Sequence, residues 1–138
     1  MKLCQRDVVL CAMAKSVLAG VALSDWNVGN AREVIDACMG HVESRELIDE
    51  FWRSTKQGYF INLNLDRLLY AGSAQIAGAT MAERHALAQD EAWIGLGDDK
   101  PEHVHHLHVR FLRLIGAEDL LPLAEKVYQT NKAIVAIL

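Results

Sequence analysis

Proline is scarce: the 138-residue sequence holds two, Pro101 and Pro122. A chain with so few helix breakers leaves room for long helices. No alternation of apolar and polar residues runs beyond a few positions, so the ordinary signature of strands is missing. Cysteine is also scarce and odd in number, with Cys4, Cys11 and Cys38 and no Cys-x-x-Cys pair. That excludes a secreted disulfide scaffold. All three cysteines fall in apolar, helix-like surroundings, where a free thiol behaves as a small hydrophobe. A reducing compartment, most simply the cytoplasm, is expected. Runs of Lys or Arg are absent and the formal net charge is −4, so the footprint of a nucleic-acid binder is lacking. The sequence contains no Gly-x-Ser-x-Gly elbow and no phosphate-cradling glycine loop, and no cofactor is expected. Internal repeats, low-complexity tracts and linkers are missing too, so residues 1–138 read as a single domain.

The longest apolar stretch, residues 8–23, is too short to span a membrane comfortably, and Lys15 stands at its centre. Lys2, Arg6 and the small residues near Ala22 mimic parts of a signal peptide, but Asp7 and Lys15 interrupt the pattern. The expectation is a buried first helix over about residues 5–23, apolar on nearly every side.

Helical spacing continues along the rest of the chain. Asn30 and Glu33 form a capping-box pattern ahead of Val34, Ile35, Cys38, Met39 and Val42. A third helix starts near Ser44, with Leu47, Ile48, Phe51 and Trp52 on one face. Asn62 or Asn64 can cap a fourth, whose second half is rich in small residues, and Thr80 with Glu83 a fifth. Asp98 or Asp99 can cap a sixth, with Pro101 in its first turn and Val104, Leu107, Phe111 and Leu114 or Ile115 as its stripe. Gly116 stops it. A seventh begins near Asp119 and carries Leu120, Leu123, Val127, Ile134, Val135 and Leu138 along one face. The predicted fold is all-α: a compact bundle of six or seven helices around the buried N-terminal one.

Reactive side chains form incomplete sets. Four of the six histidines fall between His103 and His108. Successive helical residues turn by about 100°, so the four rings surround the helix and cannot meet at one ion. His103 and His106, or His105 and His108, remain as pairs for a metal, and zinc needs at least one more protein group. Glu102 and His105 match the spacing used in di-iron bundles, without a second copy elsewhere. The acidic cluster Glu43, Glu46, Asp49 and Glu50 reads as a solvated face. Cys38 and His41, three apart, lack the third group that a catalytic dyad needs. Residues 74–87 carry part of a helix-turn-helix pattern, but Glu83, Asp90 and Glu91 would repel phosphate. Trp26, Tyr59, Phe60 and Trp93 lie in loops or at helix ends, where aromatics serve as binding anchors or plug a bundle.

These readings favour a non-enzymatic interaction protein, of adaptor, inhibitor or immunity type. Its partner is another protein or itself, with a homodimer expected and neither nucleic acid nor membrane. A metal- or small-ligand-binding domain using residues 103–108 is the first alternative. A helix-turn-helix regulator is the second.

Overall fold

The structure, a computed structural model, describes residues 4–21, 30–56 and 100–137. Five α-helices occur among them, and no strand. They are α1 (Gln5–Val21), α2 (Ala31–Gly40), α3 (Arg45–Lys56), α4 (Pro101–Leu114) and α5 (Leu121–Ile137), with a 3-10 turn at Glu118–Leu120. The fourth and fifth helices expected from the sequence lie outside the described residues.

Helix α1 is the centre of the packing. Every residue from Val8 to Leu18 is buried, as its all-round apolar character requires. It packs against α2, α4, α5 and, more lightly, α3. Two side-chain bridges fix its direction relative to α5. Arg6 donates two hydrogen bonds to Asp119, at 3.0 and 2.6 Å, and Asn131 donates one to Ser16 Oγ at 3.2 Å. Low positions meet low and high meet high, so α1 and α5 run the same way. The Arg6 guanidinium holds the Asp119 carboxyl below its ordinary range.

Asp7, the next residue of α1, is buried. Its two carboxylate oxygens accept the backbone N–H groups of Glu43 (3.0 Å) and Ser44 (2.9 Å). These are donors at the mouth of α3 that no helical carbonyl can satisfy. Ser44 completes the start by accepting from the Leu47 N–H through its own hydroxyl, at 3.4 Å. The α2–α3 junction is therefore pinned to α1 by one buried charge. Behind it Leu47 and Phe51 enter the core, while Trp52 is half-buried with the Arg32 guanidinium 5.0 Å from its ring centre.

Several local expectations are corrected. Asn30 occupies the N-cap of α2, but its side chain makes no capping bond. Its backbone, at φ −102° and ψ 25°, is not the extended conformation that aims a capping oxygen at the helix. Lys100, rather than an aspartate, is the N-cap of α4, with Pro101 in the first turn. Cys4 precedes α1 and is exposed, whereas Cys11 and Cys38 are buried. The stripe of α4 turns inward through Leu112, and Leu114 is 55 % exposed. On α5, Ile134 docks into the chain's own core while Val135 stays 43 % exposed. The inward line there includes Ala124, Thr130 and Asn131, which hydrophobicity alone passes over.

Helices α4 and α5 form an antiparallel hairpin. The turn is a Schellman motif: Ala117 N–H reaches Leu112 C=O (2.8 Å) and Gly116 N–H reaches Arg113 C=O (3.2 Å). Gly116 takes the left-handed conformation this needs, with φ +72°.

Candidate functional site on the fourth helix

Helix α4 sends its polar side chains in three directions, as the helical rotation demands. His108 points into the core beside Val104, Leu107, Phe111 and Leu112 and is fully buried. Neither ring nitrogen has a hydrogen-bond partner among the described residues. Burial, with a smaller contribution from nearby His105, pushes its pKa down to about 3. It is a neutral ring held in a dry place.

His105 points along the seam with α5. Its ring stacks on Tyr128 at 4.6 Å between centroids, and its Nε2 lies 3.6 Å from a Glu125 oxygen. Tyr128 in turn reaches Glu102 through its hydroxyl, at 3.5 Å, and carries the Lys132 ammonium 5.1 Å from its ring centre.

The third direction is outward. His106, Val109, Arg110, Arg113 and Leu114 line a surface groove of about 370 Å³. His106, Arg110, Arg113 and Leu114 are exposed and Val109 is half-buried. Arg110 and Arg113 make no ion pair among the described residues. Arg32, Arg45 and Arg53 differ, each meeting a carboxylate one turn away on its own helix, at Asp36, Asp49 and Glu50. The reason is legible in the sequence: no carboxylate stands three or four positions from Arg110 or Arg113. Apolar spacing alone hides this face, because it places Leu114 in the core.

Among the described residues, no three His, Cys, Asp or Glu side chains gather to hold a metal. His106 faces the groove, and the side chain of its candidate metal partner His103 lies outside the described residues. The acidic face of α3 is largely internally paired, through Arg45 with Asp49 and Arg53 with Glu50. Cys38 is buried while His41 is exposed, and burial pushes the Cys38 thiol up to about 12, the opposite of an activated nucleophile. Lys15, 3 % exposed, has its amine lowered to about 8 by burial. Trp26, Tyr59, Phe60 and Trp93, and the helix-turn-helix pattern at residues 74–87, lie outside the described residues.

The chain matches no protein-family model, no curated protein and no solved structure. Among the described residues no helix is long and apolar enough to cross a membrane. The groove therefore has to be read from its own chemistry.

Proposed function

We propose that the chain is a small helical interaction protein, of adaptor, inhibitor or immunity type, that presents the outer face of α4 to a protein partner. The observation that carries this reading is the pair Arg110 and Arg113. Both are exposed and unpaired among the described residues, and they line one groove together with the exposed Leu114. Arginine is the part of this face that matches binding hot spots, where it is enriched. The reactive groups, by contrast, are engaged in structure: Asp7 holds backbone donors, and Cys38 and His108 are sealed in the core.

Affinity capture from the native host tests the reading. Wild-type protein retains a partner that R110E/R113E loses, while both variants show the same circular dichroism and melting. Equal capture by the two, or capture by neither, refutes it.

The same reading includes self-association, favoured by the exposed Val135 beside the buried Ile134. Light scattering across a dilution series measures it. We also infer that residues 62–94 extend the bundle to six or seven helices, on the strength of their caps and apolar spacing. A cytoplasmic location belongs with it, since three free thiols suit a reducing compartment.

A further inference from the structure

Arg110 and Arg113 stand three positions apart on one helix, so their guanidinium groups emerge about one turn apart. Val109 and Leu114, one before and one after the pair, add apolar lining at either edge. An exposed guanidinium gains most from a carboxylate, which it holds in a planar two-point fork. A ligand that satisfies the groove must therefore present two carboxylates at one-turn spacing and an apolar side chain on the same face. An amphipathic acidic helix supplies that pattern from its i and i+3 or i+4 positions.

We propose that the α4 groove docks an acidic amphipathic helix of a partner protein. Its paired carboxylates engage Arg110 and Arg113, and its apolar side chain covers Leu114 and Val109. The inference rests on the proposed interaction role and names its partner's chemistry. Duplex DNA is a poorer occupant. Its phosphates give Leu114 nothing to pack on, and a chain of net charge −4 repels it outside the groove.

The test is a two-dimensional NMR titration of the full chain with three probes. The first is a synthetic alanine-based helix carrying Leu and paired Glu at one-turn spacing. The second is the same peptide with Lys in place of Glu, and the third is a short DNA duplex. With the Glu peptide, shifts confined to residues 106–114 are expected. R110E/R113E is expected to weaken that binding by about tenfold or more and to reverse the preference toward the Lys peptide. R110Q/R113Q, which avoids introducing repulsion, is expected to weaken it without reversal.

Absence of shifts at millimolar Glu peptide overturns the proposal, as do equal shifts from the Lys peptide. Groove shifts produced by the duplex, or by raising the protein's own concentration, overturn it in favour of those occupants. If host capture depends on the two arginines while the Glu peptide fails, the interaction role stands and the acidic-helix assignment falls.

Discussion

His108 makes the fold sensitive to acid, and the size of the effect follows from its surroundings. The ring is fully buried and its nitrogens have no partners among the described residues, so it stays neutral to about pH 3 inside the fold. In the unfolded chain it titrates near pH 6.5. Between these values the unfolded state binds a proton that the folded state does not, so stability falls as pH falls through that window. From about pH 8 down to about pH 5 the loss at this one residue is about 2 kcal/mol.

Replacement by leucine, of similar volume, removes both the titration and the buried polar ring. Each unsatisfied buried polar group costs about 1–3 kcal/mol, so His108→Leu is expected to stabilise by about 2 kcal/mol at pH 8 and about 4 kcal/mol at pH 5. Urea denaturation followed by circular dichroism, at matched ionic strength across the pH range, gives the difference curve. Carboxylates titrate in both proteins and cancel in it. Parallel curves for wild type and His108→Leu would mean that the ring takes up its proton within the fold, and the assignment of a dry, unpartnered histidine would fail.

Four further outcomes are expected. Asp7→Ala removes two hydrogen bonds to a buried carboxylate and should cost about 3 kcal/mol by urea denaturation, with Asp7→Asn costing less. Because burial lowers the folded-state Lys15 amine to about 8, below its unfolded value, wild type should gain stability relative to Lys15→Met as pH rises from about 8 to about 10.5, followed by urea denaturation. Gly116→Ala should cost about 1–2 kcal/mol in melting experiments, a pure backbone effect because nothing lies within 4 Å of an added Cβ. A thiol reagent should label Cys4 rapidly in the native protein and reach Cys11 and Cys38 only on unfolding, since both are buried and both thiols are pushed up to about 12.

Much of the framework was legible in the sequence because greasy residues at helical spacing must find cover. The buried α1, the inward faces of α2 and α3, the stop at Gly116 and the start near Asp119 all follow from that rule. Its failures have a common cause. Side chains at the margin of a stripe, such as Leu114 and Val135, are placed by the curvature of packing and by their neighbours, which a one-dimensional pattern does not contain. Buried polar residues were missed for the complementary reason. Asp7, Ser16 and Asn131 belong inside only because a partner distant in sequence satisfies some of their polar atoms, and His108 lies inside without one. The groove was half-legible: the missing carboxylates around Arg110 and Arg113 could be read from spacing, but the exposure of Leu114 could not.

The bridges from Arg6 to Asp119 and from Ser16 to Asn131 close loops of 113 and 115 positions. During synthesis the first helix leaves the ribosome long before the last one exists. It has no water-loving side of its own to shelter behind. Nascent chains and fragments that stop short of α4 should therefore be sticky, and yield in the cell should depend on how quickly translation delivers the final hairpin.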